Sequence, residues 1–231
     1  MIEIQNVTVK CGGQAVINDL TLTIRNSRVT GLVEPNATTR VALLDAIAGV
    51  ARPACGTVKV NGYNTQTASR EAKRQVGYAP VTLPLFDDMT VLEYLQFVAE
   101  LRGIDPAASE REARDVLAAV PLPPAADGKL IDGLSPHHRK LLCIATALVG
   151  DPEVILVDEP LRELSSADAA RIIDLFETLG EAHIVAITAS SQERLPAACE
   201  DVFALRRIRE IAGKDNVAKN TEEVTSDVDD L

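Results

Sequence analysis

The sequence predicts an α/β fold: a parallel β-sheet covered on both faces, with an antiparallel sheet beside it. Two runs, "EVILVDEP" (153–160) and "HIVAIT" (183–188), are apolar at successive positions, as strands buried on both faces require. They alternate with segments of helical period, the pattern of βαβ units. The amino-terminal "IEIQNVTV" and "LTLTI" (20–24) instead alternate apolar and polar residues, as half-covered antiparallel strands do.

Taken in order, the run around Val29, Gly31, Leu32 and Val33 is a strand that passes through polar residues into a helix, "VALLDAIAGV" (41–50). "GTVKVNGY" (56–63) is a strand entering an Asn-Gly hairpin turn. "TVLEYLQFVAELRG" (90–103) carries apolar residues at 91, 92, 95, 98 and 101, the spacing of a helix face. After Asp105-Pro106 comes a second helix over 109–120, with Ser109 and Glu112 in a capping-box spacing. The prolines of "PLPPAADG" (121–128) predict a loop, and helices follow over 136–148 and 166–180. "DVFAL" (201–205) is a last strand. From Lys214 the chain holds six acidic residues against Lys214 and Lys219 and few apolar groups, the composition of a disordered tail over 213–231.

With 231 residues, 46% of them hydrophobic, the chain can bury a large core. A formal net charge of −11 argues against nucleic acid and anionic lipid as partners, and 3% aromatic content offers no base-stacking platform. Leu141–Gly150, the longest uncharged apolar run, is half of what a spanning helix needs. "MIEIQNVTV" lacks the basic-then-apolar pattern of a secretory signal. Cys11, Cys55, Cys143 and Cys199 form no CxxC pair, so free thiols in a reducing cytoplasm are expected.

The order of several segments carries a resemblance. "GLVEPN" after a strand, "GTVKVNG", "VGYAP…LFDDMTVLEYLQFVAELRG", "GLSPHHRKLLCIATALVGDPEVILVDEP" and the late "IVAIT" resemble the ATP-binding cassette ATPases, the nucleotide-binding subunits of ABC transporters. The resemblance spans about residues 1–210, and "LFDDMTVLEYLQFVAELRG" is most similar to ABC-2-type exporter ATPases. It implies a P-loop NTPase (RecA-like) core with an antiparallel β-subdomain and an inserted helical subdomain near 86–149, within an ABC ATPase-like domain over 1–212. It also implies ATP and Mg²⁺ as cofactors. As partners it implies an ABC permease and a second ABC ATPase in a homo- or heterodimer. The expected location is cytoplasmic, peripheral at the inner face of the cell membrane.

The nucleotide motifs depart from the family pattern. Where the family's phosphate loop reads Gly-Pro-Asn-Gly-Ala-Gly-Lys-Ser-Thr, this chain has Glu34, Pro35, Asn36, Ala37, Thr38, Thr39, Arg40, Val41 and Ala42. Glycine lets backbone N–H groups approach phosphate oxygens, and Ala37 and Thr39 put Cβ atoms into that approach. Glu34 adds a negative charge beside an anionic ligand; at an effective dielectric near 20 and ~5 Å the repulsion is about 3 kcal/mol. Arg40 keeps the lysine's charge, but its broad fork does not fit the slot of a compact ammonium. Val41 removes the hydroxyl that would ligate Mg²⁺. Together such changes can cancel a micromolar affinity, about 8 kcal/mol.

The remaining positions follow suit. Cys11 stands where the family stacks an aromatic ring on adenine, and Val81 where a glutamine reaches the γ-phosphate. The Leu-Ser-Gly-Gly-Gln signature becomes Leu134, Ser135, Pro136, His137 and His138, and Pro136 has no N–H to donate. Leu164-Ser165 replaces Leu-Asp, and Ser190 the switch histidine. Asp158 matches the Mg²⁺-associated carboxylate and Glu159 the general base. These two fit either residual catalysis or a hydrogen-bonded strand end. Arg40 at a helix start is expected to reach Asp158, Glu159 or Glu34, so that an internal ion pair fills the phosphate position. Three readings follow: a catalytically impaired partner of a permease/ATPase complex, an atypical but active ATP-hydrolysing subunit, or a soluble scaffold on an inherited fold.

Overall fold

A parallel sheet lies at the centre of the computed structural model, which describes residues 1–25 and 29–205. Residues 206–231, with the expected acidic tail and the end of the cassette-like domain, lie outside the described residues. The strands are β1 (Ile2–Cys11), β2 (Gln14–Ile24), β3 (Val29–Val33), β4 (Cys55–Val60), β5 (Tyr63–Asn64), β6 (Val76–Ala79), β7 (Val154–Asp158), β8 (Ile184–Ala189) and β9 (Asp201–Ala204). The helices are α1 (Ala37–Ile47), α2 (Ser69–Arg74), α3 (Val91–Leu101), α4 (Pro106–Ala119), α5 (Pro136–Leu148) and α6 (Ser166–Gly180).

The parallel sheet has the order β6-β7-β8-β3-β9, and the antiparallel sheet the order β2-β1-β4-β5. The unbroken apolar runs of β7 and β8 follow from their position. Ile155, Val157, Val185 and Ile187 point into one core, with side chains of α3, α5 and α6. Val154, Leu156, Ile184 and Ala186 point into the other, with α1 and the antiparallel sheet. With both faces dry, no polar alternation is tolerated. The antiparallel strands keep it, burying Ile2, Ile4, Val7 and Val9 while the intervening residues are more exposed.

Two helix starts differ from the sequence expectation. α4 begins at Pro106 rather than Ser109, because Asp105 accepts a hydrogen bond from the Ala107 N–H at 2.8 Å and proline is suited to a first turn, whose N–H has no helical partner. Ser109 is thus buried inside the helix, with its hydroxyl on the Pro106 carbonyl, while Glu112 accepts from the Gly150 N–H at 2.7 Å. The capping box forms at Thr90 and Glu93 instead, at the head of α3. Likewise α1 starts at Ala37, four residues before the apolar run, under an Asn36 cap.

α5 packs against β6 at backbone distance. A Cβ built on Gly77 would lie 1.8 Å from the Ala147 carbonyl oxygen, a main-chain atom that cannot swing aside. Gly77→Ala is therefore expected to destabilise the chain by about 2–4 kcal/mol, read as a lowered urea midpoint, whereas exposed Gly133→Ala, with open space around it, shifts the midpoint little.

Candidate functional site

The ends of β3, β7 and β8 meet the first turn of α1, and a buried charge cluster occupies the junction. The cap sets the backbone. The Thr39 N–H donates to Asn36 Oδ1 at 3.3 Å, the Arg40 N–H to the Asn36 carbonyl at 3.1 Å, and the Asn36 N–H to Glu34 Oε1 at 3.0 Å. The first turn of the helix thus begins at Ala37, directly after its cap. Ala37 and Thr38 sit exposed on this turn, Thr39 is buried with its hydroxyl on the Val16 carbonyl, Ala42 is buried, and Val41 is 41% exposed.

Arg40 is 4% exposed, and all three guanidinium nitrogens have partners. Nε donates to Asp158 Oδ1 at 3.2 Å and Nη2 pairs with Glu159 Oε1 at 3.3 Å. Nη1 donates to the carbonyls of Glu34 at 2.8 Å and Pro35 at 3.2 Å. Two of the three carboxylates expected from sequence are therefore engaged, and Glu34 takes part through its backbone oxygen. Its carboxylate turns back onto Asn36.

The carboxylates have further donors. Thr188 Oγ1 donates to Asp158 Oδ1, and the Ser190 N–H to Glu159 Oε1 at 2.7 Å. Arg194 Nη1 lies 3.7 Å from Glu159 Oε2. Glu159 has φ +47°, a left-handed conformation that costs an L-residue about 1–3 kcal/mol and is held here by its N–H on the Thr188 carbonyl at 3.0 Å. Lys140 closes the other side, its ammonium on the carbonyls of Val81 at 3.3 Å and Glu159 at 3.5 Å. Burial lowers its pKa, and nearby acidic groups offset part of that. An open cleft of about 680 Å³ adjoins the cluster, bordered by Pro35, Leu161, Ser190 and Arg194.

Of the residues singled out from sequence, Asn36, Arg40, Asp158 and Glu159 come together here, while Ser135 caps α5 by accepting from the His138 N–H at 3.2 Å. Sequence reading missed Thr188, Lys140 and Arg194 as members. Thr188 ends the quoted "IVAIT" run, so a hydroxyl at a strand's carboxyl end beside Asp158 was the available signal; nothing local marks the two cations.

Residues 17–162 match the family described as ABC transporter. The chain belongs to that family. This cassette is 28% identical over 212 residues to the Nod factor export ATP-binding protein I of Burkholderia lata, covering 91% of the chain and 69% of the relative. It is 23% identical to the linearmycin resistance ATP-binding protein LnrL of Bacillus subtilis, covering 87% and 65%. Among solved structures, a dimeric bacterial ABC transporter cassette superposes with a TM-score of 0.77 at 21% identity, over 88% of this chain and 94% of that one. The cassette thus has the P-loop NTPase fold and is a homologue of ABC transporter ATP-binding subunits. No helix among its described residues is long and apolar enough to cross a membrane.

His137 is 8% exposed at the head of α5, and neither ring nitrogen has a hydrogen-bond partner; Nε2 stands 3.6 Å from Asp168 Oδ1 in the first turn of α6. Burial lowers its pKa; Asp168 opposes the shift, and His138 and Arg171 add to it. A histidine whose folded pKa is depressed contributes stability above its unfolded pKa near 6.5, and that contribution is lost as the pH falls toward the folded value. The cassette should lose stability between pH 7 and 5 more steeply than its His137→Gln variant, by urea midpoints at each pH.

The charge cluster makes a larger prediction. Arg40→Met leaves two buried carboxylates without their cation and is expected to cost about 3–5 kcal/mol in urea denaturation at pH 7.

Proposed function

We propose that this cassette is a nucleotide-binding-subunit homologue whose own ion cluster takes the place of nucleotide, and that it serves as a structural or regulatory partner in an ABC permease/ATPase complex. One observation carries the reading: the Arg40 guanidinium hydrogen-bonds Asp158 and the Glu34 and Pro35 carbonyls and is ion-paired with Glu159. The fit of ATP and Mg²⁺ to these residues is poor. The N–H groups of Asn36, Thr39 and Arg40 are spent on the loop and helix themselves. Asp158 Oδ1 accepts from both Arg40 and Thr188. Val41 has no hydroxyl for a metal. No step of hydrolysis follows from such an arrangement.

The partner role is supported by an exposed aromatic group at the head of the helical segment. Phe86, 49% exposed, packs edge-on against Tyr94 and Phe97 with ring centroids 6.0 and 5.7 Å away, a rigid apolar contact of the kind interfaces favour. The family resemblance puts permease contacts in this stretch, near Val81–Tyr94. A permease partner would hold the cassette at the inner face of the cell membrane.

The retained pair Asp158 and Glu159 favours one competing reading, an atypical ATPase. Calorimetry with Mg-ATP separates the two. The proposal expects no binding up to millimolar nucleotide, for the unmodified chain and for Arg40→Lys alike; micromolar binding by the unmodified chain overturns it. For the partner role, the chain should sediment with membranes from its source cells, and Phe86→Asp should release it. Recovery of unmodified chain wholly in the soluble fraction would favour a scaffold instead.

A further inference from the structure

A second cleft, of about 350 Å³, opens between the loop after β6, the first turns of α5 and the loop after β7. Leu83, Leu85, Leu164 and Cys143 form its apolar walls, and Arg139, Lys140 and Arg162 its cations. Arg139 is matched by Asp87 at 2.8 Å and Arg162 by Glu163 at 3.0 Å. Among the described residues Lys140 has no carboxylate within ion-pairing distance; its ammonium holds two main-chain carbonyls at 3.3 and 3.5 Å, both long for a charged donor. The nearby Asp158 and Glu159 carboxylates are engaged by Arg40, Thr188 and the Ser190 N–H. The half-buried ammonium thus feels Asp158 and Glu159 at longer range, with Glu163 on the cleft's rim paired to Arg162, but carries no carboxylate bonded to it, and the wall beside it is apolar.

We propose that this cleft is a binding site for a monoanionic carboxylate with an apolar body, its carboxylate on the Lys140 ammonium and its body against Leu83, Leu85 and Leu164. A hydrated inorganic anion gains nothing from these walls, and a dianion would need donors beyond the one ammonium. The site rests on the Arg40 cluster in one respect, that Arg40 occupies the carboxylates nearest Lys140, but it uses no side chain that holds Arg40.

The test uses the full chain, titrated with octanoate at pH 7 and followed by calorimetry and amide NMR shifts, with acetate and 1-octanol as head-only and body-only probes. Octanoate is expected to bind at about 0.1–1 mM, a small ligand held by one ion pair and a short chain. Shifts should cluster in residues 81–85, 139–143 and 162–164, and both other probes should bind at least about tenfold more weakly. Lys140→Met should weaken octanoate at least about tenfold. Absence of octanoate binding at 10 mM (about 10 times the weakest expected value) overturns the site. So does octanol binding as tightly as octanoate, or shifts clustered elsewhere. These wild-type comparisons decide the matter even where the Lys140 variant does not fold.

Discussion

The buried pairing of Arg40 with Asp158 and Glu159 is the constraint around which the strand ends are arranged. Two carboxylates with 1% and 3% exposure cannot stand in an apolar interior without a cation and hydrogen bonds. Arg40 supplies the cation from α1, β8 supplies the Thr188 hydroxyl, and the turn after it the Ser190 N–H. α1, β7 and β8 are thus tied at one point, between the two apolar cores that the parallel sheet separates. The left-handed backbone at Glu159 belongs to the same arrangement, since it turns the carboxylate toward both Arg40 and Ser190. Strain of that kind persists where surrounding contacts over-determine it.

Much of the fold was legible in the sequence, for a definite reason. Helices α5 and α6 are long and strongly patterned, and strands β7 and β8 are unbroken apolar runs, so the sequence pattern reports them directly. The start of α4 was not, because two capping signals compete within four residues and the Asp-Pro pair wins over Ser109. The short helix α2 has too few residues to show a period.

The candidate site was legible in part. Charge of both signs in a stretch without the family pattern's glycines pointed to an internal pair, and Arg40 makes it. That Glu34 would contribute a carbonyl rather than its carboxylate was not readable, because backbone oxygens carry no sequence signal. Lys140 and Arg194 come from α5 and from the loop after β8, and only the tertiary fold brings them near Glu159. The family relatives carry names of ATP-binding proteins, while at the positions that the family pattern gives to glycine and serine this chain has Ala37, Thr39 and Val41.

The Asn36 cap has a consequence for substitutions near it. With α1 opening at Ala37 and the Thr39 N–H held by the Asn36 side chain, a glycine placed at any one of residues 37–39 would loosen the helix without unwinding its first turn into a loop. Single glycines would first lower stability, and only several together would free the backbone of this turn. The first turn of α1 thus holds as a unit: it would give way to several substitutions together and resist any single one.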